Sequence, residues 1–265
     1  MKISVCGKGG SGKSTVVTLL ADEARAKGYR VLVVDSDESN LGLYRMLGFD
    51  QLPTPLMELV GGKKKVIRNM TRDFSSGESE TAMTIMMQDT IMVDDIPAEY
   101  MREKDNLRLV CIGKILQSLE GCACPMGVLS REFLKRLSLK EDELVIVDME
   151  AGVEHFGRGV ETSIDSVLIV VEPSFESLEL AERIYSLAAG IGINDVRAIL
   201  NKAPSDEIAA KLEGELDKRG IDVIGCIHYD PEVFKSSMEG SALDKGRAAD
   251  EIRDVLGSLL PGTKR

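Results

Sequence analysis

The sequence predicts a doubly wound, mostly parallel α/β sheet in three α/β/α layers, and three patterns predict it. Short, nearly continuous Val/Ile/Leu runs recur along the chain, as strands covered on both faces require. Amphipathic stretches of helical period separate them, and strand–helix–strand repetition specifies right-handed crossovers. A glycine-rich loop follows the first apolar run and precedes the first helical stretch.

Taken in order, the strands fall at Lys2–Cys6, Arg30–Val34, Leu107–Cys111, Leu144–Val147, Ser166–Val171, Val196–Asn201 and Val223–Ile227. The helices fall at Lys13–Lys27, Met126–Leu137, Glu176–Ala189, Asp206–Arg219 and Asp250–Leu260. In Asp206–Arg219, Ile208, Ala209, Leu212 and Leu216 share one face, with acids and lysines elsewhere. Residues 49–106 break this rhythm with Pro53, Pro55, the Gly61–Gly62 pair and the polar run Ser75–Glu80. A structureless loop of that length is uncommon, so short helices or hairpins are expected there, with Met83, Met86, Met87 and Met92 filling core. The 265 residues read as one domain, 1–265, with this irregular insertion.

Thirty-three basic against 44 acidic residues leave a charge of −11, which opposes broad attraction to nucleic acid or anionic lipid. No apolar run approaches the roughly 20 residues of a bilayer span, and the chain opens directly into a strand. A cytoplasmic protein with no membrane and no nucleic-acid partner is expected. Five cysteines, an odd number, then read as thiols or metal ligands.

Gly7-Lys8-Gly9-Gly10-Ser11-Gly12-Lys13-Ser14 satisfies G-x-x-x-x-G-K-[ST] in its required strand–loop–helix setting, the P-loop of a nucleotide triphosphatase. The backbone N–H groups from Gly9 to Gly12 turn toward phosphate, and the helix N-terminus adds partial positive charge. Lys13 reaches the β- and γ-phosphates, the Ser14 hydroxyl meets Mg²⁺, and Thr15 is placed to donate to the α-phosphate. Two further apolar runs end in acids. Val31–Val34 leads into Asp35-Ser36-Asp37, and Leu144-Val-Ile-Val ends at Asp148, a Walker B pattern in which Asp148 accepts from a Mg²⁺-bound water. Gly152 completes D-x-x-x-G, a switch II glycine that permits backbone movement with the γ-phosphate.

Cys6, Cys111 and Cys226 lie in or at the ends of strands and read as small buried hydrophobes. Cys122 and Cys124 occupy a turn-like segment, Gly121-Cys122-Ala123-Cys124-Pro125. Two thiolates do not fill four coordination positions, but an isologous two-fold contact brings four together on its axis. Four sulfurs suit tetrahedral zinc or square-planar nickel, and the choice between them stays open.

Lys8 within K-G-G-x-G-K-[ST] resembles the deviant phosphate loop of the MinD/ParA/nitrogenase-iron-protein superfamily. That resemblance implies ATP-dependent homodimers in which Lys8 crosses to the partner's nucleotide and acts like an arginine finger. It implies catalytic roles for Lys8, Lys13 and Asp37, with Asp37 positioning the attacking water. It also implies a Mg²⁺ shell around Ser14, Asp35, Asp37 and Asp148. Asn201-Lys202 resembles the superfamily's base-recognition corner, and Pro204 stands where a guanine reader needs an acid, so ATP is expected over GTP. The loop that lies against adenine in the superfamily here carries His228 and delays its proline to Pro231.

Together with the central C-x-C, the run Asp148-Met149-Glu150-Ala151-Gly152-Val153-Glu154-His155 is similar to the CooC-type ATPases that mature nickel carbon monoxide dehydrogenase. This implies an ATP-controlled dimer that binds nickel through Cys122 and Cys124 and serves a client metalloenzyme. Glu150 replaces the small residue expected after Asp148-Met149. His155 lies near the position of a cluster cysteine in the nitrogenase iron protein; it reads as a hydrogen-bonded structural histidine, with metal ligation as the other option. The alternatives to a metallochaperone are an iron–sulfur ATP-dependent reductase and a MinD/ParA-like positioning ATPase.

Overall fold

The computed structural model describes residues 1–68, 89–115, 124–243 and 246–260. Ten strands occur among them: β1 (Lys2–Gly7), β2 (Arg30–Asp35), β3 (Ile91–Met92), β4 (Met101–Lys104), β5 (Leu107–Cys111), β6 (Leu137–Ser138), β7 (Glu143–Asp148), β8 (Ser166–Val171), β9 (Val196–Ala203) and β10 (Asp222–His228). Eight form one sheet in the order β10-β9-β8-β1-β7-β2-β5-β4, and β3 pairs with β6 separately. Every pairing in the large sheet is parallel except β4 with β5. From β1 the chain runs to β2 and β5 on one side and returns to β8, β9 and β10 on the other. The carboxyl ends around β1, β7 and β2 therefore face the crevice where ligands bind in such sheets.

Alternation within each apolar run divides the core into two layers. Val31 and Val33 join the layer containing Ile3, Val5, Ile146 and the helices Lys13–Ala26 and Gly246–Leu259. Leu32 and Val34 face the opposite layer, with Val145, Val147 and the helix Cys124–Arg136. A run buried on both faces needs no polar alternation, which is why these strands read as unbroken hydrophobic stretches.

Several elements depart from the sequence reading. The helix over 126–137 begins at Cys124 and stops at Arg136, because Leu137 turns into the pairing of β6 with β3. The last helix begins at Gly246 rather than Asp250. A further helix, Pro231–Glu239, was not expected; Asp230 caps it and proline occupies its first turn, a start signal legible in the sequence. Within 49–106 the described residues form the turn of helix Leu56–Leu59, a helical stretch over 63–68 and the β4–β5 hairpin. Asp105 and Asn106 both have positive φ, as a tight hairpin turn demands. Met92 is half-buried in β3, whereas Met83, Met86 and Met87 lie outside the described residues. Cys6 and Cys111 are buried, but Cys226 is only half-buried because β10 is an edge strand. None of the described helices is long and apolar enough to cross a membrane.

Candidate nucleotide-binding site

β1 ends at Gly7, and the loop to helix α1 (Lys13–Ala26) opens at the centre of the sheet. Gly12 is the N-cap of α1 at φ 92°, and a Cβ there would run into the Asn201 amide, so only glycine fits. Gly7 is equally constrained: a Cβ would lie 2.6 Å from the Val170 carbonyl of β8. The first N–H groups of α1 have no intrahelical acceptors and face the loop. Lys13 is buried, with Nζ 3.4 Å from the Lys8 carbonyl, and the Ser11 hydroxyl is buried with no hydrogen-bond partner among the described residues. A concave set of donors with one unsatisfied hydroxyl fits a polyphosphate.

Asn201 and Lys202 fold onto this loop from β9. Asn201 Nδ2 donates to the Ser11 carbonyl at 2.7 Å, and Lys202 Nζ donates to the Gly10 carbonyl at 2.5 Å. Lys202 adopts φ 59°, a left-handed backbone that turns its side chain back across the loop. Both residues brace the phosphate loop here. Thr15 is half-buried in the first turn of α1.

Register places the acids. Asp35 lies beside Asp148 across β2 and β7, so two carboxylates share the crevice floor. The Ser14 hydroxyl donates to Asp148 Oδ2 at 2.7 Å, and Asn40 Nδ2 donates to the same oxygen at 3.1 Å and to Ser14 Oγ at 2.8 Å. Asp148 Oδ1 is buried without a hydrogen-bond partner among the described residues. An acid with one orphaned oxygen beside a hydroxyl is a donor set for a hard divalent cation such as Mg²⁺. Asp35 is engaged differently. Lys114 Nζ meets Asp35 Oδ2 at 2.7 Å, off the hydrogen-bonding direction, making a buried ion pair; the same ammonium donates to the Asp37 carbonyl at 2.6 Å. The Asp37 carboxylate accepts from Ser39 N at 2.9 Å and Ser39 Oγ at 2.6 Å, a local turn that fixes its orientation. The structure thus gathers Ser14 and Asp148, with Asp37 near enough for its charge to act on Asp148, while Lys114 claims Asp35.

Burial raises Asp148 to about 6, against the opposing pull of the Ser14 hydrogen bond and the Lys13 charge. Burial likewise raises Asp35 to about 7, with Lys114 lowering it and Asp148 raising it. Both folded values exceed the unfolded aspartate value of about 3.9. The folded chain therefore holds more protons between pH 4 and 7, and the stability due to these groups is lost as pH rises through that window. The nucleotide-free chain is expected to melt higher as pH falls from 8 to 5.5. Asp35→Asn should flatten that rise in a thermal melt, and a native melt that declines toward pH 5.5 would contradict the argument.

Lys8 reaches outward. Its Nζ pairs with Glu172 at 2.9 Å and Glu176 at 3.7 Å, and the hydrogen bond to Glu172 raises its pKa. The segment after β7 reaches the phosphate loop: Gly152 N donates to the Gly7 carbonyl at 3.3 Å, with Gly152 at φ 93°. Glu150 pairs with Arg158 and has its pKa pushed up to about 7, chiefly by burial. His155 is buried, contacts Glu161 through Nδ1, and lies 3.2 Å from the Gly152 carbonyl through Nε2. Cys124 is half-buried at the head of its helix, and Cys122 lies outside the described residues.

Sequence reading missed Asn40, Lys114 and Glu172. Glu172 carried a usable signal, since an apolar strand ending in an acid is the pattern that exposed Asp35 and Asp148. Lys114 follows β5 at the same edge, but a single lysine after a strand has no distinguishing pattern.

A family model described as the CobQ/CobB/MinD/ParA nucleotide-binding domain matches residues 3–243. An uncharacterised ATP-binding protein of Methanocaldococcus jannaschii is 44% identical over 257 residues, covering 97% of this chain and 98% of that one. The carbon monoxide dehydrogenase accessory protein CooC of Rhodospirillum rubrum is 34% identical over 265 residues, covering 98% of this chain and 96% of its own. Among solved structures, the septum site-determining protein MinD with Mg-ADP from Pyrococcus horikoshii superimposes at TM-score 0.71 and 17% identity, over 98% of this chain and 96% of that one. The last comparison speaks to fold alone.

Proposed function

This chain belongs to the CobQ/CobB/MinD/ParA nucleotide-binding family and is an ATPase of it; we propose that it works as an ATP-dependent dimerising metallochaperone. Its cargo is nickel, carried between two copies by Cys122 and Cys124 and delivered to carbon monoxide dehydrogenase or a related metalloenzyme. The observation that carries this reading is the near-full-length likeness to CooC in a chain whose sequence has Cys122-Ala123-Cys124 at the head of a helix. A structural link supports it. The Ser36 hydroxyl, between Asp35 and Asp37, donates to Ser130 Oγ at 2.9 Å, joining the nucleotide edge to the helix that begins at Cys124.

In this reading Lys13 and the α1 N-terminus hold the β- and γ-phosphates, while Asn201 and Lys202 keep the loop open. Ser14 and Asp148 would hold Mg²⁺, which when bound offsets triphosphate charge. Asp37 orients the attacking water, and Lys114 fixes the backbone from which Asp37 projects. Lys8 leaves Glu172 to meet charge on the partner's nucleotide, so hydrolysis waits for the dimer. Position 155 offers no support to the iron–sulfur alternative, because its histidine is buried within one chain and a cluster held between two subunits needs a surface ligand.

The test is the metal gained on adding ATP. Native protein with Ni²⁺ and ATP is expected to take up an additional ion per pair of chains, measured by elemental analysis of the isolated dimer. Cys122→Ser and Cys124→Ser should each remove that increment. An undiminished ATP-dependent increment in both variants would overturn the assignment.

A further inference from the structure

Beneath the phosphate loop, three side chains from separate elements converge. Cys6 projects from β1, His155 from the short helix Glu154–Gly157, and Glu161 from the 3₁₀ turn Val160–Ser163. Their ligand atoms lie within 4.8 Å of one another, and each residue is at most 1% exposed. A tetrahedral ion with bonds of about 2.0–2.3 Å holds its ligands roughly 3.4–3.8 Å apart, so small side-chain rotations bring these three atoms to ligating distance and fill three of the four positions.

Proton accounting makes the cluster informative. The Gly152 carbonyl can only accept, so the His155 Nε2 facing it at 3.2 Å carries a hydrogen. In the neutral ring Nδ1 then holds a lone pair, and that lone pair faces the Glu161 carboxylate. Two lone pairs do not sit together in a dry interior without a cation between them, either a proton or a metal ion. The second carboxylate oxygen, Glu161 Oε2, is buried without a hydrogen-bond partner among the described residues. A histidine that gives one N–H to a backbone carbonyl and turns its other nitrogen to a carboxylate has the outer-shell arrangement of a metal ligand, and the Cys6 thiol belongs to the same cluster. Ser4 Oγ, 3.2 Å from Cys6 Sγ, completes the polar surroundings.

We propose that Cys6, His155 and Glu161 form a buried site for one divalent transition-metal ion of the zinc–nickel class. Thiolate, imidazole and carboxylate together select borderline metals over Mg²⁺ or Ca²⁺. Thiolate and carboxylate also balance the two positive charges, so the interior stays neutral. Loading releases two protons, the Cys6 thiol proton and the one shared by His155 and Glu161, for each ion gained. The ion sits one hydrogen bond from Gly152, whose N–H is bonded to the phosphate loop at Gly7.

The inference uses neither Cys122 nor Cys124, so it is tested in protein carrying Cys122→Ser and Cys124→Ser together, stripped with chelator and titrated with Co²⁺ in the absence of nucleotide. The expected result is one Co²⁺ per chain with a thiolate-to-cobalt charge-transfer absorption. Adding Cys6→Ser should abolish that absorption, and adding Glu161→Gln should weaken Co²⁺ binding at least about a hundredfold, beyond the cost of losing an outer-shell partner. No stoichiometric uptake by the double variant would mean that a proton, not a metal, bridges His155 and Glu161, and the proposal would fall. It would also fall if uptake survived unchanged in a Glu161→Gln variant with a native-like melt. The ATP-dependent increment assigned to Cys122 and Cys124 is read separately, so either assignment can fail alone.

Discussion

Lys13→Ala is expected to weaken ATP binding by at least about a hundredfold, with the fold intact. The ammonium is buried against the Lys8 carbonyl at the mouth of the loop, and its side chain is the one fixed positive charge the loop aims inward. Truncation leaves phosphate charge facing backbone dipoles alone, and losing one partner of a desolvated charge pair costs about 3 kcal/mol or more. Isothermal titration with a non-hydrolysable ATP analogue checks this directly. An affinity within threefold of the native protein would remove the basis of the site. Lys13→Arg should fail almost as badly, because a planar guanidinium does not reproduce the compact ammonium that this buried position presents.

Lys8→Ala divides binding from turnover. Lys8 lies at the start of the loop and pairs with Glu172 and Glu176, so within one chain it contributes little to holding nucleotide. ATP affinity should stay within about threefold of native, whereas turnover should fall about a thousandfold, the lower range for removal of an arginine finger. Sedimentation with ATP should show loss of the dimer in parallel. Full turnover by a variant that no longer dimerises would contradict the cross-subunit role. Lys8→Arg is the informative partner: a retained cation at this position should recover part of the rate.

Much of the site was legible because its chemistry needs residue types in fixed local order. The phosphate loop must turn within eight residues, so Gly7, Gly12, Lys13 and Ser14 announce it without tertiary context. Asp35 and Asp148 were legible for a related reason, since a buried parallel strand is a continuous apolar run and its first acid marks the crevice edge. The same rule would have exposed Glu172. What stayed hidden was the sharing of partners. Asp35 and Asp37 look alike in sequence, yet Lys114 sits against the Asp35 carboxyl while Ser39 orients Asp37. Asn40, which joins Ser14 to Asp148, comes from a loop with no periodic pattern to place it.

By itself the sequence determined the three-layer doubly wound sheet, the nucleotide class and the acids at the strand ends, because hydrophobic period and loop chemistry are local properties of the chain. Only the tertiary structure decided which charges meet. Cys6 read as one more small core residue, and His155 as a hydrogen-bonded histidine; folding sets the thiol beside that imidazole and Glu161. Their sequence separations carry no pattern, because three elements packed around one point are related by the fold and not by spacing along the backbone.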